Sequence, residues 1–122
     1  MKDQRRILVV DDDDDIRTLV CLVLESEGYH AVPARDGLDA LDLLQRTAPP
    51  TLILLDLMMP RMDGEALVVA LRGMPALSGV PVVIMSGHNN ARQKTNSLAV
   101  DGCLVKPVDL DVLVSTVHQH AH

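Results

Sequence analysis

Aromatic residues are all but missing from this chain: Tyr29 stands alone, with no tryptophan and no phenylalanine. Its core must therefore be filled by Leu, Val, Ile and Met. Basic clusters are equally scarce. Beyond Lys2, Arg5 and Arg6 no group of Lys or Arg occurs, and the net charge is -6, which argues against direct binding to nucleic acid. No apolar stretch is long enough to span a bilayer, and the ILVV run near the start is too short for the apolar region of a signal peptide. No membrane association is expected, and a cytoplasmic location is. The two cysteines, Cys21 and Cys103, lack ligand-like spacing and are expected to be buried, reduced thiols. There is no internal repeat, low-complexity segment or linker, so the 122 residues are expected to form one domain, 1–122.

What is present is organised around Thr51 to Gly64, TLILLDLMMPRMDG. Leu52, Ile53, Leu54 and Leu55 form an unbroken apolar run, the pattern of a strand buried on both faces of a parallel sheet. Asp56 ends it. A charge placed directly after a buried strand is costly unless it is paired, metal-bound or reactive. Pro60 biases Met59 toward extended backbone. Asp56 is thus expected to project from the carboxyl edge of a central strand, where open α/β sheets bind their ligands.

The rest of the chain supplies the sheet. Ile7 to Val10 reads as a strand running into Asp11-Asp12-Asp13-Asp14-Asp15, then a helix with Ile16, Leu19, Val20 and Val23 on one face. Asp13 or Asp14 is its natural N-cap, and Gly28 its left-handed stop. Tyr29 to Pro33 reads as a second strand, with Pro33 suited to a sheet edge. Asp36 caps a helix with Leu38, Leu41 and Leu44 as its apolar face. Asp63 to Arg72 is the third helix, burying Leu67, Ala70 and Leu71, and Val80 to Met85 the fourth strand. Ala91 to Val100 is a fourth helix of weak propensity, Asp101 to Val105 a fifth strand, and Asp109 caps a last helix with Leu110, Leu113, Val114 and Val117. The α/β class follows: strands alternating with single helices imply a parallel sheet covered on both faces. Asp11 and Asp12, Asp56, Ser86 and Lys106 then all fall at carboxyl strand ends.

Two adjacent acids, a third across from them, a hydroxyl and a lysine suit a divalent cation and a phosphoryl group. Crowded carboxylates repel one another, and a hard, oxygen-loving ion such as Mg²⁺ relieves this. Lys106 offers a mobile positive charge and Ser86 a neutral donor. Asp56 would be the carboxylate nucleophile, giving an aspartyl phosphate. Singly, each residue has a duller explanation: Asp56 as a turn residue, Ser86 as a turn former, Lys106 as a surface charge. Their recurrence at successive strand ends is what argues for a site. Asp13, Asp14 and Asp15 are assigned to a solvated helix start. A calcium loop is excluded, since glycine is missing at its sixth position and glutamate at its twelfth. His88 is expected in an exposed loop, and His118 and His122 at a helix end that matches the dipole rather than at a metal.

VVDDDDDIR, LLDLMMPRMDG, IMSG and LVKP, in this order and spacing, resemble the receiver domains of two-component response regulators, and the resemblance covers the whole chain. It implies a doubly wound (βα)5 sheet of flavodoxin-like strand order 2-1-3-4-5. It implies Asp56 as phosphoacceptor, fed from a phosphohistidine on a sensor histidine kinase or phosphotransfer protein. Asp12 and Asp56 with the Met58 carbonyl would bind Mg²⁺ directly, and Asp11 through water. Lys106 would pair with the phosphoryl group next to a cis Lys106-Pro107 bond, and Ser86 would be the switch hydroxyl. Output would pass to an effector domain or partner protein through the face of the fourth helix, fifth strand and fifth helix, which could also form a homodimer. The chain would not be an enzyme beyond its own phosphorylation and dephosphorylation.

Some positions depart from that pattern. Cys103 stands where the family usually carries an aromatic switch, and Ala99 where it usually has glycine, so the fourth helix is expected to end irregularly; its low helix propensity is expected to leave it mobile and make it the bistable element. Apolar Met58 is expected to slow attack of water on the phosphoryl group. Two other functions compete. An aspartate-nucleophile phosphatase would want a second acid two residues after Asp56, where Met58 is a poor proton donor. An inert homologue would serve only dimerisation. No output domain follows the last helix here, which suits a stand-alone regulator, a relay shuttle or one part of a larger protein.

Overall fold

The computed structural model describes residues 5–57, 64–87 and 100–121. Five parallel strands, β1 (Arg6–Val10), β2 (His30–Ala34), β3 (Leu52–Asp56), β4 (Val82–Ser86) and β5 (Gly102–Val105), lie in the order 2-1-3-4-5. The described helices are α1 (Asp14–Ser26), α2 (Gly37–Arg46), α3 (Gly64–Arg72) and α4 (Leu110–His120), the last being the fifth helix expected from sequence. Strand order reverses direction between β1 and β3, which opens a crevice at their carboxyl ends. That crevice is where Asp11, Asp12 and Asp56 arrive.

Alternation along the strands divides the core in two. Leu8, Val10, Ile53, Leu55 and Ile84 face a layer that includes Ala40 and Leu44 of α2 and Leu67 and Leu71 of α3. Ile7, Val9, Leu52, Leu54 and Met85 face Val20 and Leu24 of α1 and Leu113 and Val117 of α4. β3 and β4 are buried at every residue, which is why their sequences are continuous apolar runs. Pro33 lies on β2, the edge strand, where its missing donor costs no ladder bond.

Helix ends follow the capping chemistry. Asp13 is the N-cap of α1, its Oδ1 accepting from the Asp15 and Ile16 N–H groups at 2.9 and 3.0 Å. Asp36 caps α2 by accepting from the Asp39 N–H at 2.8 Å. Gly28 has φ 92° just past α1, the left-handed conformation that favours glycine.

Several expected faces are corrected. Leu19, Leu38 and Leu110 are exposed, whereas Leu24 and Ala40 are buried; on α3, Val68 is buried and Ala70 only partly so. A helix touches a sheet along a narrow stripe, and an i, i+3, i+4 pattern fits two neighbouring stripes equally well. Leu38 and Leu110 also sit in first turns, at the strands' carboxyl edge. The two cysteines are free but half-buried, not buried. Burial pushes the Cys21 thiol up, Arg17 partly offsetting it and Glu25 adding to it. His118 is more than a dipole match: its Nδ1 meets the Tyr29 hydroxyl at 2.5 Å and its Nε2 lies 3.5 Å from Glu27 Oε1, tying α4 to the turn after α1. His88, Ala99, His122 and residues 91–99 of the fourth predicted helix lie outside the described residues.

Gly64 opens α3 directly against the end of β3. A Cβ there would meet Leu57 Cα at 2.7 Å and the Asp56 carbonyl at 2.8 Å, both backbone atoms that cannot swing aside. Gly64→Ala is expected to destabilise the fold by about 1–3 kcal/mol, read as a lower urea midpoint at unchanged m-value.

Candidate functional site: an acidic cluster bridged by Lys106

Backbone bonds just past the strands hold the site residues in place. The Asp11 N–H donates to the Ala34 carbonyl at 3.2 Å, the Leu57 N–H to the Met85 carbonyl at 3.1 Å, and the Lys106 N–H to the Ser86 carbonyl at 2.8 Å. Each extends the sheet ladder one step, so the side chains that follow β1, β3 and β5 start from fixed positions. The Lys106–Pro107 bond is cis.

Asp11 is fully buried and engaged at every polar group. Its Oδ1 accepts from the Asp13 N–H at 2.9 Å and its Oδ2 from Lys106 Nζ at 3.1 Å. Its carbonyl accepts from Arg17 Nη1 at 2.8 Å. Asp56, the last residue of β3, is buried with Oδ2 3.2 Å from the same Lys106 Nζ. Asp12 is exposed, and among the described residues its carboxylate has no hydrogen-bond or ion-pair partner. One carboxylate oxygen from each of Asp11, Asp12 and Asp56 lies within 4.8 Å of the other two.

At that spacing two like charges repel by about 3 kcal/mol for an effective dielectric of about 20. Lys106 is the described cation that answers this repulsion. Burial of its ammonium works to lower the pKa, but the hydrogen bond and charge of Asp11, together with Asp56, outweigh it and hold the pKa above the ordinary 10.5. Three carboxylates against one ammonium still leave excess negative charge. The donor set is all oxygen, which fits a hard divalent cation such as Mg²⁺ and does not fit a thiolate- or imidazole-seeking metal.

Ser86 is buried at the end of β4, at the same strand edge and opposite Val105 of β5. Cys103 lies within β5 opposite Ile84, packed against the core layer of α2 and α3. Met58 lies outside the described residues. Sequence reasoning missed Arg17. A signal was there: a cation in the first turns of a helix opposes the macrodipole, so its placement asks for a specific partner.

The sequence profile of the response regulator receiver domain family matches residues 7–118. The chain is 40% identical over 121 residues to the sensor histidine kinase RcsC of Salmonella typhimurium, covering 98% of this chain and 12% of that protein. It is 35% identical over 112 residues to the response regulator MprA of Mycobacterium tuberculosis, covering 90% of this chain and 47% of that one. Among solved structures, the chemotaxis protein CheY4 of Vibrio cholerae superposes with a TM-score of 0.89 at 28% identity, covering 97% and 99% of the two chains. The receiver domain of a histidine kinase from Syntrophus aciditrophicus superposes at 0.85 with 34% identity, covering 95% and 89%. This chain belongs to the response regulator receiver domain family of two-component systems, and it spans only a small part of the sensor kinases it matches.

Two substitutions test the electrostatics without any metal. Asp12→Asn is expected to stabilise the protein in EDTA by about 1 kcal/mol, since Asp12 adds repulsion at an exposed position. Lys106→Met is expected to cost about 3 kcal/mol at neutral pH, the low end for breaking a buried pair because the ammonium keeps some solvent. The Lys106 pKa is raised on folding, so its stabilisation is complete below 10.5 and fades as pH rises through the folded value. Urea titrations of wild type and Lys106→Met are therefore expected to stay separated by a constant amount through neutral pH and to converge only in strong alkali.

Proposed function

We propose that residues 1–122 form one receiver domain that takes a phosphoryl group onto Asp56 and acts as a phosphorylation-controlled switch. The observation that carries this reading is the ammonium of Lys106 shared between Asp11 and Asp56, with the Asp12 carboxylate beside them and without a partner among the described residues. An Asp56 oxygen attacks the phosphorus of a phosphohistidine. The O–P bond forms as the P–N bond breaks, and the departing imidazole keeps the electron pair and takes a proton. Lys106 then exchanges one carboxylate for a phosphoryl oxygen, a move its flexible stem permits. Ser86, buried at the adjoining strand end, becomes the donor to another. Cys103 offers no ring to swing, so the signal passes through small shifts of β5.

Asp12 and Asp56 would hold Mg²⁺ directly, with the Met58 carbonyl, and Asp11 would act through water because both its oxygens already accept from protein donors. When bound, the ion supplies charge neutralisation for the phosphoryl group. The donor is a sensor histidine kinase or phosphotransfer protein, a reading supported by relatives that include both sensor kinases and response regulators. The recipient is an effector domain or partner on the face that includes β5 and α4, or a second copy of the chain. Such partners place the domain in the cytoplasm. No helix among the described residues is long and apolar enough to cross a membrane. Catalysis is confined to the domain's own acyl phosphate, with no turnover of added phosphate esters.

Intact-mass spectrometry after incubation with acetyl phosphate and Mg²⁺ tests the proposal. One added phosphoryl group is expected, lost in Asp56→Asn and in EDTA. Equal labelling of Asp56→Asn would overturn it. Mg²⁺ at about 100 times its Kd is expected to stabilise the wild type by about 2.7 kcal/mol, and Asp12→Asn far less, as seen by thermal melting.

A further inference from the structure

We propose that Arg17 is a positioning residue of the acidic loop, holding the Asp11–Asp12 peptide so that the Asp12 carboxylate is aimed at Asp56. This rests on the metal-binding reading of the cluster. Arg17 sits one turn into α1 with its side chain largely covered. Its Nη1 donates to the Asp11 carbonyl at 2.8 Å while its Nη2 pairs with exposed Asp14. The Asp11 side chain is held separately by the Asp13 N–H and Lys106. Asp12 has no such restraint among the described residues, so the direction of its carboxylate is set by the backbone, and the Asp11 carbonyl is one end of the peptide that sets it. The carbonyl belongs to a residue with no exposed surface. Without Arg17 it loses a charged donor and gains an incentive to rotate toward solvent.

Charge alone makes the opposite prediction. Arg17 is a cation bonded to the backbone of the acidic loop, and through-space electrostatics requires that removing it raise affinity for a divalent ion. Positioning requires that affinity fall, by about 10- to 100-fold, as when a group that orients a metal ligand is removed. The sign separates the two.

The experiment is Mg²⁺ titration by calorimetry on Arg17→Met, which keeps the aliphatic stem, at a temperature where melting curves in EDTA show both proteins folded. We expect at least about a 10-fold weaker Kd, altered amide shifts of Asp12 and Asp13 in ¹⁵N spectra, and partial recovery in Arg17→Lys. A merely structural Arg17 would lower the melting temperature and leave the Kd and those shifts unchanged; that result, or tighter binding, overturns the proposal. If Arg17→Met does not fold, Arg17→Lys with its single ammonium is read alone: weaker Mg²⁺ binding supports positioning, and wild-type or tighter binding overturns it. Wild type that binds no Mg²⁺ removes both this inference and the metal reading, whereas wild-type binding with an unaffected Arg17→Met removes this inference alone.

Discussion

The site depends on one ammonium placed between two buried carboxylates. Lys106 Nζ stands 3.1 Å from Asp11 and 3.2 Å from Asp56, and its charge offsets part of the cost of burying two carboxylates side by side. The sheet is arranged to deliver these three groups to one point. β1 and β3 are neighbours at the reversal of strand order, and β5 reaches the same edge across β4. Asp11 and Lys106 are each tethered by a backbone bond one step past their strands, and Asp56 is followed at once by the bond of the Leu57 N–H. Among the described residues negative charge stays in excess, the condition a site for a divalent cation would need.

Local rigidity and local charge are coupled in the loop after β1. Asp11 is fastened at its N–H, both carboxylate oxygens and its carbonyl, while Asp12 one residue later stands exposed and unpartnered among the described residues. One carboxylate is thus occupied by protein donors, while the next is left open to a ligand. The same contrast recurs at the end of β3, where buried Asp56 is followed within eight residues by Gly64, packed too tightly on the Asp56 carbonyl for any side chain.

Much of this was legible in the sequence because it follows from period and from cost. The apolar run at 52–55 and the stretch at 80–85 declared parallel strands, the second of which runs from Val82 to Ser86, and the acids directly after Val10 and Leu55 declared a crevice. Asp36 and Asp109 were readable as caps, and Asp13 as one of two candidates with Asp14, since each of the three accepts from N–H groups two or three residues on. Helix faces were less legible. Leu19 and Leu38 satisfy a helical repeat yet face solvent, since periodicity fixes a stripe's angle only to within a neighbouring row. Contacts between distant segments were not legible: nothing local to His118 announces Tyr29, 89 residues away, and Arg17 read as an ordinary helical cation until the Asp11 carbonyl appeared beside it. The roles assigned to Asp56, Ser86 and Cys103 rest on chemistry and kinship beyond what position alone supplies.

The central claim is that Lys106 and Asp56 are energetically coupled in the metal-free protein, and a double-mutant cycle measures this directly. Urea unfolding in EDTA of wild type, Lys106→Met, Asp56→Asn and the double variant gives the coupling energy. The account predicts at least about 1 kcal/mol, with the double variant less damaged than the sum of the singles. Additivity to within about 0.5 kcal/mol would contradict it.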